Sequence, residues 1–285
     1  KNCYIDLWIE LLHALRLDPL ALLGHTLAVD FAGDQWTFFK PTAYELRGLY
    51  GVDVQELTMW RPLAEHALEH LAAGRLVRAE VDAWWLPDTE ATDYRRQHTK
   101  TTIVFNDIDP QAKRLGYFHN AGYYLLEGED FEKTFEPPVM PFFAELVRID
   151  RIVKRPDAEL KAMSKPLLAR HLARRPIDNP VHRFADRFTR ELPELQAKGL
   201  AHYHAWAFAT VRQLGAAAEL MALYLRWLEA HPAAAAAYDT ISAGAKSFIL
   251  KAARAVNSKK PFDPSAQFAE WAAAYDTAIA DLGNG

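Results

Sequence analysis

The chain contains a single cysteine, Cys3, at the start of a run in which Tyr4, Leu7, Trp8, Leu11, Leu12 and Leu15 recur at three- and four-residue steps. That spacing predicts an amphipathic helix, with Asn2 as its natural cap. A thiol in the first turn feels the positive end of the helix dipole, which favours the thiolate and hence nucleophilic chemistry. The plainer alternative is a small buried hydrophobe. A cysteine nucleophile requires a histidine base and a carboxylate or amide to orient it, and these partners are neighbours in space and not in sequence. His98 qualifies, because it lies where the polar stretch Tyr94–Gln97 enters the strand-like run Thr99–Asp107. Asn120 lies between the next two strand-like runs and is the expected orienting residue, while His119 competes with His98 for the role of base.

These side chains need a scaffold. Helical patterns cover Thr42–Tyr50, closed by Gly51 as a C-cap, and Pro62–Ala73, stopped by Gly74. The texture then changes to β-branched and aromatic runs at Leu76–Leu86, Thr99–Asp107, Arg114–Phe118 and Ala121–Leu126, with turns at Pro87-Asp88 and Asp109-Pro110. Three prolines fall within Phe135–Pro141, and beyond Phe142 the pattern reads as helical to the end. A central helix is expected over Leu200–Ala230, another over Ala235–Val256, and a last one after Asp263-Pro264. The expectation is an α+β chain in which a helix packs on a mostly antiparallel sheet over residues 1–136, followed by an all-α domain over 142–285.

Helix-borne Cys, strand-borne His and then Asn is the chain order of papain-like folds. A resemblance extends this reading. The run Asn2-Cys3-Tyr4-Ile5-Asp6-Leu7-Trp8, the block Asp30 to Pro41, the stretch Glu80 to Thr89 and Tyr117-Phe118-His119-Asn120 resemble a bacterial family. Its members tend to be encoded beside amino acid:carrier protein ligases. The N-terminal part is also similar, more distantly, to the butirosin biosynthesis acyltransferase family of the papain-like cysteine peptidase clan. That family moves an aminoacyl group from a carrier protein to an amine. The resemblance implies Cys3 as nucleophile, His98 as base, Asn120 as orienting residue and Asp82 with Leu86-Pro87 as a strand-end motif. It departs from the butirosin pattern in having Asn where an acidic residue is usual. The resemblance leaves the oxyanion donor unassigned: the Cys3 backbone N–H is the natural first candidate and Gln35 a second, whose alternative role is turn chemistry beside Gly33-Asp34. Trp84 and Trp85 are expected to line an acyl or pantetheine channel or to be core, and Asp82 to hold its loop by hydrogen bonds.

Partners follow from charge. Residues 148–175 carry nine Lys/Arg against three acids, a local +6 within a chain of net −4. Arg170, Arg174 and Arg175 are therefore the expected docking residues for an acidic carrier protein, unless the run is simply a solvated helix face. Nucleic acid is not expected, since no aromatic residues interleave the charges. One cysteine excludes metal sites that need two or more thiolates, residues two apart in His202-Tyr203-His204 face differently on a helix, and no phosphate-binding glycine motif occurs. No metal and no bound cofactor are expected, only the partner's phosphopantetheine arm. With 50% apolar and 25% charged residues, no apolar run of about 18 and no leader, the chain reads as globular and cytoplasmic. The leading expectation is aminoacyl transfer through an acyl-enzyme to an amine or hydroxyl. The alternatives are a hydrolase (thioesterase, amidase or peptidase) using the same site, and a non-catalytic carrier-protein adaptor.

Overall fold

The computed structural model describes residues 2–136 and 142–283 of the 285-residue chain. It is an α+β structure with two compact units. One comprises Asn2–Pro19 and Pro41–Pro156, and the other Leu20–Lys40 and Asp157–Gly285. The division falls at Pro156/Asp157 and not at the proline cluster, whose residues 137–141 lie outside the described residues. Residues 20–40, expected within the N-terminal domain, belong with the helices.

In the first unit, α1 (Cys3–Ala14) starts where the pattern places it, with Asn2 Oδ1 accepting from the backbone N–H of Tyr4 at 3.0 Å and Ile5 at 3.4 Å. Later come α2 (Ala43–Tyr50), β3 (Asp53–Glu56), α3 (Leu63–Ala72), β4 (Leu76–Asp82), β5 (Lys100–Asp109), β6 (Arg114–His119), β7 (Gly122–Glu127), α4 (Gly128–Phe135) and β8 (Ala144–Arg148), numbered after two short strands of the other unit. The six strands form one antiparallel sheet in the order β3-β8-β4-β5-β6-β7. β8 corrects the expectation of helix directly after Phe142. It pairs with both β3 and β4, so the sheet is complete only with a strand from beyond the prolines.

The pleat sorts side chains onto two faces. Val77, Ala79, Val81, Ile103, Phe105, Leu115, Tyr117 and Leu126 form a core with Leu63 and Ala67 of α3 and Phe131 of α4. The alternate residues of β4, namely Arg78, Glu80 and Asp82, lie on the other face, where Arg78 sits 4.5 Å from the Tyr4 ring centroid of α1. α1 packs against β5 and β6. The helix that opens with Cys3 therefore covers the Asp82 face of the sheet.

The second unit holds all but the first residue of a 3-10 stretch (Pro19–Ala28), the hairpin β1 (Phe31–Ala32) and β2 (Gln35–Trp36), and the helices α5 (Asp157–Ala173), α6 (Pro180–Lys198), α7 (Leu200–Ala209), α8 (Val211–Leu228), α9 (Pro232–Ser258) and α10 (Ser265–Gly283). Arg183 of α6 ties the hairpin down, donating to the Phe31 carbonyl and pairing with Asp30 at 2.7 Å. The expected single helix over 200–230 is two, because Thr210 adopts φ −115° and ψ −97° and breaks the ladder. No helix among the described residues is long and apolar enough to cross a membrane.

Candidate functional site

Where β4 ends and β5 begins, one carboxylate organises the chain. Asp82 Oδ1 accepts from the backbone N–H of Trp84 at 3.0 Å and of Thr99 at 3.3 Å, and Oδ2 lies 2.6 Å from His98 Nδ1. With both oxygens engaged the carboxylate cannot rotate. An Nδ1–H bond to it leaves Nε2 as the basic nitrogen of the ring. The Trp84 indole stacks on the imidazole at 4.5 Å and 13°, fixing the second coordinate of the ring plane. The His98 side chain nevertheless remains 69% exposed, so its chemistry is open to substrate and water.

An open cleft of about 610 Å³ adjoins this pair. Val81, Trp85, Phe142 and Phe143 supply apolar walls, and the ion pairs Lys100–Glu80 and Lys133–Glu136, each at 2.7 Å, supply polar ones. The lining is thus part apolar and part charged.

The loop that presents Trp84, Trp85 and His98 is clamped at several points. Thr89 Oγ1 donates to the carbonyls of Ala83 and Leu86, and Arg95 N–H to the Trp84 carbonyl at 3.1 Å. The Arg95 guanidinium stacks on Trp85 at 4.5 Å and pairs with Asp130 of α4, which also accepts from Tyr94 OH at 2.8 Å. The deepest clamp is Asp88. Its Oδ1 accepts from Tyr117 OH at 2.5 Å, its Oδ2 lies 2.6 Å from His119 Nδ1, and His119 Nε2 lies 2.7 Å from Thr101 Oγ1. Burial first, and the Asp88 charge second, push the Tyr117 phenol far above its ordinary value, so it stays a neutral donor.

The two histidines are thereby distinguished. His119 is 1% exposed, has both ring nitrogens occupied, and shares the face of Tyr117, which α1 does not cover. His98 is bound to Asp82, a residue of the α1 face, and presents Nε2 outward. Asn120, expected beside His98, occupies the β6–β7 turn at φ +47°, with Nδ2 3.4 Å from His119 Nδ1. The side chain bonded to His98 is instead Asp82, which the sequence reading placed nearby as a loop holder. Cys3 is half-buried in the first turn of α1, and among the described residues no hydrogen bond joins its thiol to either histidine. Gln35 is exposed on β2, paired in register with Ala32, in the unit that does not contain Cys3.

The basic run does not form one helix face. Arg148, Arg151, Lys154 and Arg155 precede the division between units, and the remainder lie on or just after α5. Arg148 pairs with Asp150 at 2.8 Å, and Lys161 with Asp157 and Glu229. Arg170, Arg174 and Arg175 are exposed, Arg175 donating to the Leu172 carbonyl at 2.8 Å.

Asp88 and the Tyr117–His119–Thr101 network are what sequence reading missed. The only signal was an acid after Pro87 in a turn, which reads as ordinary turn chemistry.

Among known proteins, no curated sequence matches this chain. Family models do match it, the DUF1839 N-terminal domain over residues 1–155 and the DUF1839 C-terminal domain over residues 157–284, meeting where the two compact units divide. With nearly its whole length matched, the chain belongs to the DUF1839 family.

Proposed function

We propose that the chain is a cysteine-dependent acyltransferase in which Cys3 is the nucleophile, His98 the general base and Asp82 the residue that orients the base. The observation that carries this reading is the 2.6 Å contact between His98 Nδ1 and Asp82 Oδ2, at an open cleft and on the face of the sheet that α1 covers. The resemblance to papain-like acyltransferases supports Cys3 and His98 in these roles. It also supports an aminoacyl thioester on a carrier protein's phosphopantetheine arm as donor.

The chemistry follows from the groups. Cys3 Sγ attacks the thioester carbonyl as His98 Nε2 takes the thiol proton, and the pantetheine thiolate leaves with that proton. The acyl-cysteine is then attacked by an amine or hydroxyl, whose proton passes to Nε2 before the Cys3 sulfur departs. Asp82 stabilises the imidazolium formed at each step, and Trp84 positions the ring. The reaction requires Sγ and Nε2 to come within hydrogen-bond reach in the substrate complex, where such contacts commonly tighten relative to the free protein. The exposure of His98 favours water as a competing acceptor, which makes hydrolysis the second reading. The exposed Arg174 and Arg175 suit the landing of an acidic carrier.

The test is intact-mass measurement after mixing the protein with glycyl- and alanyl-pantetheine thioesters and with an aminoacylated carrier protein. The expected result is one aminoacyl increment, absent in Cys3→Ala and formed about 10²–10⁴-fold more slowly in Asp82→Asn. An increment that survives Cys3→Ala, or none with any of the three donors, overturns the proposal.

A further inference from the structure

Helix α3, the residues just before it and the turn that leads from it into β4 carry a second cluster of functional groups. Six residue steps at about 3.3 Å place Leu76, the neighbour of Arg75, roughly 20 Å from Asp82 along the strand. Trp60, 77% exposed, precedes Arg61, whose guanidinium carbon lies 5.1 Å from the Trp60 ring centroid. His66 and His70 follow one turn apart on α3 with parallel rings 6.4 Å between centroids, and His66 Nε2 accepts from the Trp60 backbone N–H at 3.4 Å. Arg75 closes the turn after α3, its backbone N–H donating to the His70 carbonyl at 2.9 Å.

The donors here outnumber the acceptors. Arg61 pairs with Glu69, but its Nε is buried without a partner, as are His70 Nδ1 and Arg75 Nε. The Arg75 guanidinium makes no ion pair and no side-chain hydrogen bond among the described residues. Glu69 and Glu65 are the carboxylates in electrostatic range, and Glu69 is already committed to Arg61. Burial and the neighbouring guanidinium groups hold both imidazoles below their ordinary value. Two arginines disfavour a metal cation, and no group of three or more metal-ligating side chains occurs among the described residues. What the cluster lacks is an anionic acceptor with several lone pairs, the complement of guanidinium and imidazole N–H groups.

We propose that Arg61, Arg75 and His70 form a binding site for a phosphate-type oxyanion, with the exposed indole of Trp60 as the wall for an organic group esterified to it. The site is independent of acyl transfer, since none of its residues lines the cleft beside Asp82 and His98. It calls for a free phosphate ion or for a phosphate ester, and the two share the chemistry of the anion.

Calorimetric titration of the full chain with inorganic phosphate and with phenyl phosphate, each against chloride at matched ionic strength, tests the site. Saturable binding of at least one is expected, weakened tenfold or more in Arg75→Gln and less in Arg75→Lys, which keeps charge but not the guanidinium fork. Tighter binding of phenyl phosphate, with the gain lost in Trp60→Ala, identifies an esterified ligand. Equal binding of the two identifies the free ion. Circular dichroism confirms that each variant is folded, and Arg61→Gln is a second probe should one variant not be. No saturable binding of either probe, or affinity unchanged in both Arg75→Gln and Arg61→Gln, overturns the proposal.

Discussion

Replacing Asp88 by alanine removes the acceptor of two donors in one buried network, and the cost follows from their geometry. Tyr117 OH and His119 Nδ1 approach the two carboxylate oxygens at 2.5 and 2.6 Å, with the side chains of His119 and Asp88 1% and 2% exposed. Hydrogen bonds to a charged group contribute about 1.5–3 kcal/mol each, and orphaning a buried donor costs about 1–3 kcal/mol. Breaking a buried pair by deleting one partner costs about 3–5 kcal/mol in total. Asp88→Ala is therefore expected to lower unfolding stability by about 3–5 kcal/mol, read as a reduced urea midpoint at unchanged m. Tyr117→Phe deletes one donor and leaves the His119 bond in place, so about 1.5–3 kcal/mol is expected. In the double variant the two losses should fall short of additive by about 1 kcal/mol or more, because they share a contact. Hydrogen exchange should locate the damage in the 83–99 loop, at amides such as Thr89 and Arg95 that bond within it. A loss below about 1 kcal/mol in Asp88→Ala, or strict additivity with Tyr117→Phe, refutes the claim that this network anchors the loop.

Gly51 caps α2 at φ +72°, and a Cβ there would run into the carbonyl oxygen of Arg151. Gly51→Ala should cost about 2–4 kcal/mol by urea titration, combining the left-handed penalty with a backbone clash. In the helical unit the Tyr238 hydroxyl is buried without a partner, and burial raises its phenol far above the ordinary value. Tyr238→Phe should leave stability within about 0.5 kcal/mol or raise it, and a loss above about 1 kcal/mol would reveal a bond at that hydroxyl. His66 and His70 are held below their ordinary 6.5 in the folded chain. The unfolded chain thus binds more protons just below pH 6.5, and stability should fall as pH drops from 6.5 through the lower folded midpoints. Two imidazole midpoints below 6.5 by NMR, with a shallower pH slope in the His66→Gln/His70→Gln variant, are expected.

Elements whose signals are local were readable. The three- and four-residue spacing in α1, Asn2 as its cap, Gly51 closing α2 and the β-branched and aromatic runs of β4 to β7 all appear where the sequence places them. β3 and β8 were not readable, because Asp53–Glu56 is polar and half-exposed, and Ala144–Arg148 gains strand character only from pairing on both sides. The break at Thr210 lies inside an unbroken apolar pattern, which reports burial but not continuity of the backbone. Residues 20–40 join the helical unit through contacts such as Arg183 with Asp30, separated by 153 positions. No local composition encodes such a pairing.

The candidate site shows the same division between type and partner. Sequence could name a cysteine, two histidines and an amide as candidates, since residue types and helix starts are local. Pairing each histidine with its acid depends on which face of the sheet each side chain takes. His119 has the parity of Tyr117, so it reaches Asp88 through the buried core, where both its nitrogens are consumed in holding the loop. Asp82 has the parity of Arg78, so its partner His98 stands on the side of α1 with Nε2 open. A buried histidine with both nitrogens bonded can stabilise but has no site for a transferred proton, whereas an exposed one with Nδ1 held can exchange protons at Nε2 without reorienting. The two His–Asp pairs are thus of nearly equal length, and access to Nε2 separates the one suited to structure from the one suited to chemistry.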